Sequence, residues 1–396
     1  MDKLLSGAVL VAAFFVWGCG SSEEKTAGVQ SVSSWEFEKV DSLQFEIIGR
    51  PVLADVEFGK ILLYDGQKSE FVILDEKGAL ISRFTKSGDS PDNFGFNLLL
   101  PGFLSESEIM MAGTLGIFVY DFSGNFIKKI THPEPQSGGV YTDLPGKSID
   151  HFFLDGKNKI LSKSFRVFES TLADAQFYEK FRGIEVIDSQ SEAKKALIAF
   201  APNSRFLNGN GFIQSDFEPV FSADEGGIFL AFAGDPVLHQ YTWLGDSVSL
   251  EKSIKLSLPD FGEITGQPLK SLEGVGASTS MLTASVRKIS KWNDKVLVQF
   301  FPGLSTEEDL ALDQDYENGN EEEAKAKIQK LFTERKVRLA IVDPLEGKQL
   351  GIIDFPEWVN SSGFVLDGED FWFVKRFNPE AEEDFIKLYK AKLIEK

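Results

Sequence analysis

Short β-rich runs recur along this chain and alternate with turns rich in Asp and Gly. Residues 61–65 and 71–75 form the clearest pair, and Asp75-Glu76-Lys77-Gly78 then turns the chain into a third run at 79–84. A second copy follows at 109–112, 117–122 and 125–130, turning on Asp121-Phe122-Ser123-Gly124. An Asp-x-x-Gly turn between two such runs predicts tight antiparallel hairpins. Weaker copies run through 159–162, 183–188 and 196–200, through 227–232 and 238–246, through 295–300 and 337–347, and through 370–374 and 384–389.

Six units of roughly 45 to 70 residues with almost no helical periodicity imply radial repetition. A long β protein must hide its sheet edges, and a ring of small sheets does so. The expected fold is all-β, a six-bladed β-propeller spanning residues 35–396. The last unit is short of strands, while 35–48 is a spare β-rich segment ahead of the first full unit. That segment is expected to complete the last blade and close the ring. Two stacked sandwiches would need a linker that the chain lacks, and a parallel β-helix would repeat in shorter, more regular steps.

One stretch breaks the pattern. Residues 304–336 are polar and helix-favouring, an insertion expected within the fifth blade. Its second half places Ile328, Leu331 and Phe332 on one helical face. Asp313, Asp315 and Glu317 begin like a calcium-binding EF-hand loop, but Gly319 is seventh instead of sixth and Ala324 occupies the place of the twelfth-position glutamate. A solvated acidic loop is the expectation there, with weak Ca²⁺ binding as the alternative; no cofactor is implied beyond Ca²⁺ or another divalent cation.

The N-terminus adds a different kind of information. A short start with one cation, Met1-Asp2-Lys3, precedes an apolar run from Leu4 to Trp17 and then Gly18-Cys19. The run falls short of the about 20 apolar residues a bilayer span needs and has the outline of a signal peptide. Cys19 is the only cysteine in 396 residues, so no intramolecular disulfide or cysteine-based zinc site is available. Val16-Trp17-Gly18-Cys19 resembles the bacterial lipobox, whose cysteine is acylated and becomes the mature N-terminus. Residues 1–18 are therefore expected to be removed and Cys19 to carry the lipid, anchoring the protein to a membrane of the bacterial cell envelope. Residues 19–34 are small and polar, the composition of a flexible tether. Glu23-Glu24 resembles an export tag of Bacteroidota lipoproteins as much as it does a plain solvated linker. The outer membrane is the expected site, on its periplasmic face or at the cell surface.

With 61 acidic against 41 basic side chains, the chain carries a net charge of -20. Such a surface repels nucleic acid and anionic lipid head groups. Catalytic signatures are missing: no Gly-x-Ser-x-Gly, no His-Glu-x-x-His, no phosphate-binding Gly-rich loop. The three histidines, His132, His151 and His239, lie in different repeats without ligand-spaced neighbours. Each reads better as a turn or sheet residue than as a catalytic one.

The stretch 80–94, Leu-Ile-Ser-Arg-Phe-Thr-Lys-Ser-Gly-Asp-Ser-Pro-Asp-Asn-Phe, resembles the blade-ending signature of TolB-like six-bladed propeller lipoproteins of Bacteroidota. There a strand and a glycine precede Gly-Pro-x-Glu-Phe; here Ser90 and Asn93 replace the glycine and the glutamate. Gly88 and Pro91 would fix a turn leaving an outer strand. The resemblance implies fold and location and brings no active site. Two functions follow as expectations. The first is a binding or scaffolding module for a protein or glycan partner. The alternative is a lactonase- or esterase-like hydrolase holding a divalent cation in the channel on scattered oxygen ligands. Three or more carboxylates or amides converging at one channel end would favour the enzyme.

Overall fold

The computed structural model describes residues 35–49, 51–86, 90–95, 100–131, 149–163, 167, 170–275, 280–378 and 383–396. The expected signal segment 1–18, Cys19, the expected tether 19–34, Gly88 and His132 lie outside the described residues.

Six four-stranded antiparallel sheets form a six-bladed β-propeller. In each of the first five blades the strands follow chain order from the axis outward. The innermost strands are Val52–Glu57, Gly102–Ser105, Ile149–Leu154, Pro219–Asp224, Ser285–Trp292 and Val365–Asp367. That of the first blade packs against those of the second and sixth. The sixth blade takes its outermost strand from the start of the domain: Trp35–Glu46 pairs with Phe385–Glu395 from Trp35↔Glu395 to Glu46↔Phe385, with one bulge between Lys39 and Asp41. The spare segment does close the ring, as its pattern predicts.

The second and third strands of the first two blades are buried on both faces, because a neighbouring blade covers each side. Their sequences are therefore continuous apolar runs instead of alternating ones. Aromatic rings fill the spaces between blades. Phe181 lies 4.9 Å from Phe200 and 5.1 Å from Phe217, and Phe200 lies 4.7 Å from Phe232, ring centre to centre. Separations of this size favour offset or edge-to-face packing beyond simple burial.

The turns between third and fourth strands work as their sequences suggest. The Asp75 carboxylate accepts from the N–H groups of Lys77 and Ala79, and the Asp121 carboxylate from that of Asn125. Gly78 and Gly124 take φ of +83° and +80°, which a side chain would resist. After the outer strand of the first blade, Pro91 sits second in a turn closed by Asn93 N–H on the Ser90 carbonyl at 2.9 Å, the place Pro favours. The turn delivers Phe94, fully buried, against Phe71.

Among the described residues, four α-helices decorate the ring: α1 (Ala175–Lys180), α2 (Gln214–Phe217), α3 (Thr306–Glu317) and α4 (Glu321–Glu334). The last two are the insertion, between the second and third strands of the fifth blade. Ser305 and Glu308 form a reciprocal capping box at the start of α3. Leu312, Ala324 and Leu331 are buried. The expected acidic loop at 313–319 is instead the end of α3. Asp313 and Asp315, two positions apart at 3.6 residues per turn, point to roughly opposite sides. Asp315 pairs with Lys327 at 2.6 Å.

Candidate functional site: a cationic cavity at one mouth of the channel

A cavity of about 420 Å³ opens where the innermost strands of the first, fifth and sixth blades begin, at Val52, Ser285 and Val365. The insertion reaches this mouth from above. Phe332 of α4 lines the cavity and stacks on Phe301 at 5.9 Å. Arg335, after α4, holds the insertion down through Glu308 at 2.8 Å and the Gly303 carbonyl. Gly303 has φ +55°, and a Cβ there would lie 2.2 Å from the Ala284 nitrogen, so only glycine lets the chain leave the sheet at this point. On another side the buried Gln299 donates to the Ser361 carbonyl at 2.8 Å, fixing the loop that carries Asn360 and Ser362 into the wall.

Among the described residues the walls carry three cations, Lys163, Arg287 and Lys288, against one carboxylate, Glu218. This reverses the sign of the whole chain, at -20. Lys163 and Glu218 spend their charges on each other at 2.5 Å, both nearly sealed from water. Lys288 is buried, donates to the Phe364 carbonyl and lies 4.6 Å from the Phe364 ring centre. Arg287 stands 4.3 Å from the Phe301 ring centre and donates to the Met281 carbonyl at 3.1 Å and to Ser285 Oγ at 3.4 Å. No carboxylate among the described residues pairs with it. Burial lowers its guanidinium to about 10, because loss of water disfavours the charged form.

Two consecutive residues of a regular strand point to opposite faces, yet Arg287 and Lys288 both reach this cavity. The cause is a β-bulge. Val286 pairs with Phe300 and Lys288 with Gln299, leaving Arg287 as the extra residue. Bulges re-aim side chains in this manner beside functional sites. The innermost strand of the first blade has the same irregularity between Leu53 and Asp55, and Ala54 there lines the cavity.

Behind the wall, Ser280 N–H donates to Ser215 Oγ and Ser280 Oγ to Asp309 of α3 at 3.1 Å. Burial, reinforced by Asp309, pushes the neighbouring Asp216 carboxyl up to about 7. At the far ends of the innermost strands the sign is acidic. Asp367 is raised by burial and by Glu76, Asp370 and Glu57, and His151 Nε2 lies 3.0 Å from Glu57 Oε2. His239 sits instead within the fourth blade, its Nδ1 2.9 Å from Ser253 Oγ, and burial lowers it to about 4. Among the described residues, no three His, Cys, Asp or Glu side chains converge to hold a metal ion.

None of the cavity's charged residues stands out in the sequence by motif. The available signal was Arg287-Lys288, adjacent cations inside a β-rich run of an acidic chain.

Fold and site together define a six-bladed β-propeller with a ligand-sized cationic mouth. Neither a family model nor a curated protein matches the chain. Among solved structures it is similar to a member of the DUF4221 family from Bacteroides vulgatus, with TM-score 0.59 at 14% identity, covering 91% of this chain and 99% of that one. A Bacteroides fragilis protein described as exported has TM-score 0.48 at 12% identity over 93% and 96% of the two chains. Virginiamycin B lyase from Staphylococcus aureus has 0.43 at 13% identity over 91% and 100%. The first shares the fold; the other two superpose too loosely to add to it.

Proposed function

We propose that this chain is a binding module of the bacterial cell envelope, held to a membrane by lipid on Cys19 and offering its channel mouth to a protein or glycan partner. The outer membrane is its place in this reading, and the small polar stretch 19–34 sets the propeller off from the anchor. The observation that carries the proposal is the cavity itself: about 420 Å³, within the range of ligand sites, walled by several blades and roofed by an insertion that the ring does not need for closure. A preformed concavity on a rigid ring holds a ligand at low ordering cost.

The test uses the chain from Ser34 onward on an array of envelope glycans and peptides. Ser362 lies exposed on the rim, so Ser362→Trp should fill the mouth without touching the core. Ligands retained by the wild type and lost by Ser362→Trp, with an unchanged urea midpoint, are the expected outcome. Retention that ignores Ser362→Trp would move the binding surface elsewhere. In parallel, Cys19→Ala should shift the full chain from the membrane to the soluble fraction, and a variant that stays membrane-bound would refute the anchor.

A further inference from the structure

We infer that the mouth cavity takes the carboxylate of a small organic acid, gripped by Arg287. This rests on the cavity being a ligand site and goes further by naming the ligand's chemistry. Arg287 is partly buried, and with no carboxylate among the described residues paired to it, its charge is left for a ligand. Here the bulge that carries Arg287 costs a ladder position and places the side chain in the cavity wall. The Phe301 ring and the Met281 carbonyl fix its plane.

A guanidinium has five N–H donors. Only Nε and one Nη2 proton are engaged by described residues. The two Nη1 protons and the other on Nη2 remain, which form the edge that meets a carboxylate in a two-point bond. Lys288 also lines the cavity, held by the Phe364 carbonyl and ring. Glu218, already committed to Lys163, stands in the wall and opposes a dianion, so a carboxylate suits the site better than a phosphate. Around the cations the wall is mostly aliphatic and aromatic, with Ser285, Asn360 and Ser362 as hydroxyl and amide partners. Size and lining suit an acid of one or two rings.

The test is calorimetric titration of the chain from Ser34 onward with 4-nitrophenyl β-D-glucuronide and 4-nitrophenyl β-D-glucoside, which differ by a carboxylate in place of a hydroxymethyl. Benzoate and inorganic sulfate are titrated alongside. The glucuronide is expected to bind about ten- to a hundredfold tighter than the glucoside, the range of a hydrogen bond to a charged group. In Arg287→Met that gap should close to about twofold, while Arg287→Lys, keeping charge and losing the fork, should retain part of it. Urea unfolding of both variants shows that they fold.

Equal binding of the two glycosides, or a gap that survives Arg287→Met, would overturn the carboxylate while leaving the cavity a ligand site. Sulfate binding tighter than either carboxylate would overturn it in favour of an inorganic anion. Binding of none of the four would also overturn it; the ligand site itself is judged separately, by Ser362→Trp on the array.

Discussion

Removing one partner of the Lys163–Glu218 pair should cost far more than removing both. The ions lie 2.5 Å apart with side chains 2% and 5% exposed. At an effective dielectric constant of about 20, their attraction is about 7 kcal/mol. Stripping water from each ion costs several kcal/mol, so the intact pair is close to break-even. Glu218→Gln leaves the Lys163 ammonium buried without a counter-charge, and the expected loss is about 3 to 5 kcal/mol. Lys163→Met/Glu218→Leu removes both charges at similar volume and should lie within about 1 kcal/mol of the wild type. Equilibrium urea unfolding of the two single variants and the double variant is the assay. If Glu218→Gln costs less than about 1 kcal/mol, or the double variant costs as much as the singles, the pair is hydrated and the cavity wall is not the sealed surface described above. A second readout follows from the charge count. With Glu218 neutral the mouth is more cationic, so Glu218→Gln should bind the glucuronide more tightly than the wild type does.

His239, lowered from 6.5 to about 4, is neutral in the fold, while the unfolded chain takes up a proton below about pH 6.5. It therefore contributes stability that is fully present above that pH and lost as pH falls from 6.5 to 4, up to about 3 kcal/mol. His239→Gln should flatten this part of the urea stability profile, and an unchanged slope would refute the assignment. Deleting residues 35–46 strips the outermost strand from the sixth blade and should give a chain without a cooperative melt in circular dichroism, because Phe385–Glu395 is left as an open edge. A normal melt from that chain would refute closure by this strand.

Much of the ring is legible in the sequence and its axis is not, for a physical reason. Second and third strands are covered on both sides, so runs such as 61–65 and 117–121 are unbroken and easy to see. Innermost strands border the channel along one edge. Ser222 and Asp224, or Arg287 and Lys288, interrupt their apolar residues, and no period of two survives a bulge. Arg287, Lys288 and Ala54 of the cavity wall lie on those strands, which hid them from pattern reasoning. Helix α3 escaped for a related reason: only Thr306 and Leu312 are buried, so it has almost no apolar face, and its legible mark is the Ser305-x-x-Glu308 cap. The near-match at Asp313, Asp315 and Glu317 had the composition of a calcium loop without its spacing, and these residues lie in the last turns of α3.

Ring closure by the strand Trp35–Glu46 has a consequence for biosynthesis. Its partner, Phe385–Glu395, follows roughly 340 residues later, which at about 5 to 20 residues per second is some 20 to 70 s of synthesis. Throughout that interval the sixth blade does not exist, and the first blade lacks the neighbour that covers one of its faces. A chain cut short by its final strand, for any reason, has an unclosed ring and an exposed edge for proteases to find. Until Phe385–Glu395 is present, the strand Trp35–Glu46 has no partner and the ring stays open.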